Sequence, residues 1–367
     1  DVSQLRFSHI STDEGLSQTT VQVIAQDSLG FMWFGTQFGL NRFDGYSMTV
    51  YHYDPTDITS LIGDNIVDIH EDSSGYLWIR SFNVGGISRY SYETDNFTRF
   101  VPGTDTASNL PGNVTTNPVE DSRGRIWIGT DAGLAEFDQL SERFTWYTHQ
   151  PGDADSLIDN HILSIKLDHQ DNLWIATVNG ISRLDSTRSG FQSYQSVFTD
   201  FTTPIHTGWV FDLDLFLVTA DGAIWIGTNH GVERLEPSTN HVDHFVYDPA
   251  QADGLASTDV FYLFEDNAHR LWIAGRNTAS VYDAATKTFQ HFPVGHSEQT
   301  IDVSATIFQD TRGTIWLAGG QMSGLHRFNE QSQQFEEIED VPTNRFSLGD
   351  NKVTTLFEDL SGILWIG

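Results

Sequence analysis

The residues of this sequence that could do chemistry are polar side chains suited to holding a ligand rather than attacking one. Arg80 and Arg276 could each clamp a carboxylate or a pair of sugar hydroxyls through the planar guanidinium fork. Ser81 and Asn83 follow Arg80 closely, Asn277 follows Arg276, and Gln321 stands in a second glycine-rich stretch, Gly319-Gly320-Gln321-Met322-Ser323. Trp209 could stack on a sugar ring, and His161, Asn229 and His230 add donors and acceptors. Plainer roles compete at each position: an ion pair with one of the 50 acidic residues, a filler between structural layers, or ordinary loop chemistry.

Catalytic and metal motifs do not assemble. The 14 histidines form no H-E-x-x-H pair, and no G-x-S-x-G or P-loop is present. Cysteine is absent, which removes disulfides, thiolate metal sites and a thiol nucleophile. His241 and His244 are three apart on an expected strand and so face opposite ways. The reading is therefore a binding segment with no cofactor and no metal. A formal net charge of -31 repels phosphate backbones and anionic headgroups, which argues against nucleic acid and membrane-surface partners. No run of about 18 apolar residues occurs, so the segment is not expected to insert in a membrane. The chain opens without a charged-then-apolar leader, as a mature exported protein would.

The elements that must position these side chains are set by a repeat of roughly forty-seven residues. Trp33, Trp78, Trp127, Trp174, Trp225, Trp272, Trp316 and Trp365 recur 44 to 51 residues apart. Six residues before each stands Asp, with Thr219 the exception; three before stands Gly, with Asp171 and His269 as substitutes. Asp first and Gly fourth is tight-turn chemistry: the carboxylate accepts backbone N–H groups and Gly takes the positive φ. A β-type run precedes the turn, the Trp strand follows it, and a Gly-led strand (Gly39-Leu40, Gly133-Leu134, Gly231-Val232) comes next. A fourth strand carries aromatics three apart, as in Phe97/Phe100 and Phe289/Phe292. Arg42, Arg89, Arg183, Arg234 and Arg327 recur in register, which predicts a structural task in every repeat.

Four short strands per period with large wedging residues predict an all-β fold, a β-propeller of seven four-stranded blades, with eight as the alternative. On this reading residues 1–338 form the seven-bladed ring with 1–10 as its closing strand. Residues 339–367 begin an eighth repeat that belongs to a following propeller or to ring closure. The Trp-to-Gly spacing is six in most blades but eight in blades two and seven. Enlarged loops starting at Arg80 and Gly319 are expected there, flanking one pocket.

In this wording (DSRGRIWIGTDAGLAEFD from Asp121, and Asp27 to Asp44) the sequence resembles the two-component regulator propeller repeats. That resemblance implies the extracytoplasmic sensor of a bacterial inner-membrane receptor, periplasmic or extracellular, with a histidine kinase or diguanylate cyclase as output. It also implies oligosaccharide or other small-molecule ligands, and a homodimer formed through the longer receptor. A propeller enzyme, either a lyase or a glycan-active hydrolase, and a protein-docking scaffold are the alternatives. Fold alone does not choose among them.

Overall fold

The turn aspartate organises each repeat more fully than a turn requires. Asp27 Oδ1 accepts the backbone N–H groups of Leu29 and Phe31 at 3.0 and 2.8 Å, and Asp72, Asp121, Asp168, Asp266, Asp310 and Asp359 cap their turns likewise. The other carboxylate oxygen takes the indole N–H six residues on, at 2.5 Å for Trp33, 2.8 Å for Trp78 and 2.9 Å for Trp127. Trp174, Trp272, Trp316 and Trp365 repeat this bond. The six-residue Asp–Trp spacing thus ties the turn to the strand that follows it. Gly30 sits at φ 91°, and Asp171 and His269 accept the same left-handed region at 63° and 59°.

The computed structural model describes residues 5–194, 215–228, 231–275, 278–294, 306–319, 324–341 and 343–367. Seven four-stranded antiparallel sheets follow one another in chain order, each a meander of neighbouring strands. Blade one is Val21–Gln26, Met32–Thr36, Gly39–Phe43 and Met48–Tyr51; blade two is Ile66–Glu71, Leu77–Ser81, Ile87–Ser91 and Asn96–Phe100. An eighth repeat contributes a two-stranded sheet, Leu356–Glu358 with Leu364–Ile366. The fold is a β-propeller of seven four-stranded blades. By contacts the chain divides into two compact units, residues 14–202 and residues 1–13 with 203–367.

Within each unit the core lies between successive blades. Trp33 and Leu40 of blade one pack with Leu61, Ile66, Ile69, Leu77 and Ile79. The aromatics three apart on a fourth strand serve two layers, since they project to opposite faces. Phe100 stacks on Trp78 of its own blade at 5.4 Å, while Phe97 meets Tyr51 of the preceding blade at 5.4 Å. The recurrent arginines lie over the tryptophans: Arg42, Arg89, Arg183 and Arg234 stand 5.8, 5.9, 5.4 and 5.8 Å from Trp33, Trp78, Trp174 and Trp225. Their task is structural.

A second recurring tie joins several turns to the next blade. Ser28 donates its N–H and hydroxyl to Glu71, both at 2.7 Å; Ser73 does so to Glu120, Ser122 to Asp171 and Thr311 to Glu358. In the second unit, Leu5 and Phe7 pack with the cluster around Trp316, Leu348 and Leu364. Phe7 N–H donates to the Phe346 carbonyl at 3.0 Å, as Phe97 N–H donates to Thr59 at 2.8 Å. Residues 5–10 therefore stand beside the eighth repeat as a fourth strand does in a full blade, without strand assignment of their own.

Candidate functional site

The position held by Arg80 is glycine in blades one, three and five because neighbouring strands press on it. A Cβ on Gly35 would lie 2.5 Å from Val23 and 2.7 Å from Ile66, and one on Gly129 would lie 2.6 Å from Thr116 and 2.7 Å from Ile162. An arginine fits in blade two because the facing strand of blade three draws back. Val114 bridges Thr130 as Val21 pairs with Thr36, yet one extra residue intervenes before the partner of the blade-three tryptophan, Val119. Pro118 offers no N–H to the ladder, and the regular strand shrinks to Val119–Glu120.

Three polar residues converge on this seam from blade two. Arg80 pairs across the sheet with Asp68, so both side chains share a face, and His70 lies two residues on along the same face, opposite Trp78. Trp78 packs against blade three, which fixes the direction of that face. From blade three, Asn117 Oδ1 accepts the Arg80 Nε–H at 2.7 Å. Burial holds the His70 imidazole below its ordinary pKa, against the opposing pull of Glu120, Asp72 and Glu71. Three side-chain atoms around these strands are buried without a hydrogen-bond partner: Asn65 Oδ1, His70 Nε2 and Thr115 Oγ1.

The equivalent positions are apolar in blades one, five and six, whereas blade four carries Ser164 and Lys166 there. Val23 and Ala25 face the blade one–two core, Leu215 and Leu217 the blade five–six core, and Tyr262 and Phe264 the blade six–seven core. The grouping of Asp68 and His70 with Arg80, whose position is Gly or Ala in the other blades, is a local departure that the repeat does not ask for.

The sequence-based site divides accordingly. Arg80 and Ser81 do not belong to an enlarged loop, as the sequence suggested; both lie in the strand Leu77–Ser81, and the two extra residues fall within 82–85. Ser81 faces away from Arg80 and donates its hydroxyl to the Gly63 carbonyl at 2.9 Å, a structural bond. Asn83 is exposed in the loop at φ 58°. His161 is exposed at the end of the connection into blade four, where its N–H meets Asp159 at 2.7 Å and its carbonyl accepts Val178 N–H at 3.2 Å. Trp209, Asn229, His230, Arg276, Asn277 and Gln321 lie outside the described residues, as does the blade-seven loop at 320–323. Asp68, His70, Thr115 and Asn117 were missed. The signal for them was present as Asp and His where the inner strand of blade one carries Val and Ala, and as Pro118 inside an expected strand. Among the described residues no three His, Asp or Glu side chains are placed to hold a metal ion, and no helix is long and apolar enough to cross a membrane.

Comparison with known proteins follows the repeat. The profile described as two component regulator propeller matches residues 15–38, 60–83 and 156–179. A histidine kinase of Formosa agariphila, P4, is 42% identical over 59 residues, which is 16% of this chain and 4% of that protein. Among solved structures, the extracellular domain of a hybrid two component system from B. thetaiotaomicron aligns at a TM-score of 0.57 and 22% identity, covering 99% of this chain and 40% of that one. PorZ of Porphyromonas gingivalis, a surface component of its type-IX secretion system, aligns at 0.54 and 16%, covering 92% and 55%. Virginiamycin B lyase from Staphylococcus aureus aligns at 0.51 and 15%, covering 81% and 90%. At these identities the structural likenesses speak for the propeller fold. The chain spans 40% of the length of the hybrid-system domain and a far smaller share of the kinase. The matched segments lie on the same connection, turn and tryptophan strand that build the blades, so residues 15–38, 60–83 and 156–179 are copies of the two component regulator propeller repeat.

Proposed function

We propose that this chain is the ligand-sensing propeller of a transmembrane signal-transduction receptor, carried on the extracytoplasmic side of a bacterial inner membrane and without catalysis of its own. The family match, the kinase relative and the extracellular hybrid-system domain support this reading. The ligand is a small carbohydrate or similar polar molecule, received at the polar seam of blades two and three.

The observation that carries the site is the set of buried polar atoms without partners along the inner strands of blades two and three, beside the Arg80–Asn117 bond. Each costs about 1–3 kcal/mol while unsatisfied, and native structures keep such groups for a reason. Hydroxyl groups, which both donate and accept, would satisfy Asn65 Oδ1, Thr115 Oγ1 and His70 Nε2 while Arg80 and Asp68 fix the orientation.

The test is a thermal-shift screen of the purified protein against neutral and acidic oligosaccharides. A true ligand at a hundredfold its dissociation constant stabilises the fold by about 2.7 kcal/mol. Arg80→Ala and Asn117→Ala should abolish that shift while leaving the ligand-free melting curve within a few degrees. A ligand whose shift survives both substitutions places the site elsewhere.

A further inference from the structure

On the far side of the blade-two loop lies a depression of about 570 Å³, lined by Tyr53, Ile62, Gly63, Asp64, Val84, Arg99 and Val101. Its volume is that of a small-ligand site. Four of its walls are apolar, and Tyr53, Val84 and Val101 remain 42%, 38% and 40% exposed, so the apolar surface is open to an occupant. The two charged groups carry the argument, because the repeat supplies a control for each.

Asp64 accepts Tyr53 N–H through Oδ1 at 2.6 Å. In two later connections, into blade four and into the eighth repeat, the same bond is made by asparagine: His149 N–H to Asn160 at 2.6 Å, and Asp340 N–H to Asn351 at 2.7 Å. The fold therefore needs an acceptor at this place, and the negative charge, which has His52 Nδ1 3.6 Å from Oδ1, is more than that bond requires. Arg99 gives Nε to the Ser60 carbonyl at 2.8 Å, the task that Trp146 Nε1 performs toward Asn109 at 2.9 Å and His9 toward Ser347 at 3.1 Å. Its Nη2 holds the carbonyls of Asp54 and Asp57 and the Ser60 hydroxyl, and its Nη1 bonds to none of the described residues. The guanidinium lies 5.0 Å from the centre of the Tyr53 ring. Asp64 and Arg99 make no ion pair with each other.

One anion and one cation beyond what the fold requires, unpaired with each other and set among apolar walls, fit a molecule with the opposite arrangement. We propose that this depression binds a zwitterion with an apolar body, an apolar amino acid or short apolar peptide. Arg99 Nη1 receives its carboxylate, Asp64 Oδ2 receives its ammonium group, and Tyr53, Ile62, Val84 and Val101 cover its side chain. This site is separate from the polar seam and does not depend on the reading given for it.

The proposal is tested by isothermal titration of the whole chain with L-leucine and leucyl-leucine, beside L-leucinamide, N-acetyl-L-leucine and maltotriose. One of the zwitterions should bind saturably below about 10 mM. Removing either charge from it should weaken binding at least about tenfold, which is about 1.4 kcal/mol. Asp64→Asn, which keeps the bond to Tyr53 as Asn160 does to His149, should erase the penalty for N-acetylation. Arg99→Lys should retain part of the preference for the free carboxylate. The proposal is overturned if neither zwitterion saturates, if Asp64→Asn binds them as the parent protein does, or if maltotriose binds here in their place.

Discussion

Blades one and two meet through an apolar seam, and blades two and three meet through a polar one, although the same repeat builds both. In the first, Val23, Ala25 and Gly35 face Ile66 and Ile69, and the glycine is enforced by contacts that no side chain could enter. In the second, Asp68, His70 and Arg80 face a strand that a proline and an added residue have pushed out of register. The outer parts of the two seams are alike: Trp33 and Trp78 are both fully buried and both held by a turn aspartate. The difference is confined to the inner end. The repeat secures the blade through its tryptophan and turn, and so the inner edge of one seam can change without loss of the fold.

That contrast can be broken most directly by emptying the apolar seam. Ile66→Ala removes a fully buried side chain packed between Trp33, Leu40 and Ile69, and should cost about 2–5 kcal/mol in urea unfolding. Arg80→Ala should cost far less, because it removes a group whose site was already opened for it. Equal losses at the two positions would mean that the polar seam is as firmly packed as the apolar one. A smaller effect sharpens the likeness of the outer parts. Asp27→Asn and Asp72→Asn each keep one acceptor but can turn an amide N–H toward the indole N–H, and each should cost about 1–3 kcal/mol. The loss at Asp27 should be somewhat the larger, because its carboxylate also accepts the Tyr92 hydroxyl. A larger loss at Asp72 would show that the departure of the second seam extends outward to its tryptophan.

The parts of the fold that were legible in the sequence are those that local chemistry imposes at fixed offsets. Tryptophan, aspartate and glycine recur because a turn, a capped carboxylate and a left-handed residue recur. Even the substitutes Asp171 and His269 take the expected φ. The ties from Ser28 to Glu71 and from Ser73 to Glu120 were not read, though the acids just before Asp72 and Asp121 were in plain view. A carboxylate on a surface so acidic shows its purpose only when a partner from another repeat is placed beside it. Arg80 stood out as a side chain the repeat does not need. Its place in a strand was hidden by the longer Trp-to-Gly spacing, because spacing alone does not say on which side of the strand end the added residues fall. Asp68 and His70 were hidden by a register skip near the start of the inner strands, between Val21 and Val23 in blade one and between Ile66 and Asp68 in blade two. Such a skip defeats a simple alternation of inward and outward residues.

The smallest expected effect concerns His70, which puts a titratable group where Ala25 stands in the apolar seam. Burial lowers its pKa, so the folded chain resists a proton that the unfolded chain accepts near the ordinary value of about 6.5. Between those two values the unfolded state binds more protons, and stability falls as the pH is lowered through that window. The flanking acids Glu120, Asp72 and Glu71 limit the loss, since they favour the charged ring. The turn carboxylates act lower on the scale. Asp121, Asp168 and Asp266 are driven up by burial, but hydrogen bonds from the indole and neighbouring groups outweigh it and leave them below their usual value. Their stabilisation is present above about pH 4 and is lost below it. Melting curves of His70→Ala and the parent chain should therefore separate as the pH is lowered through the ordinary imidazole value of about 6.5, where only the parent loses stability through this site. If both decline equally in that window, the seam around His70 is already open to water, and its unpartnered polar atoms are satisfied by solvent rather than awaiting a ligand.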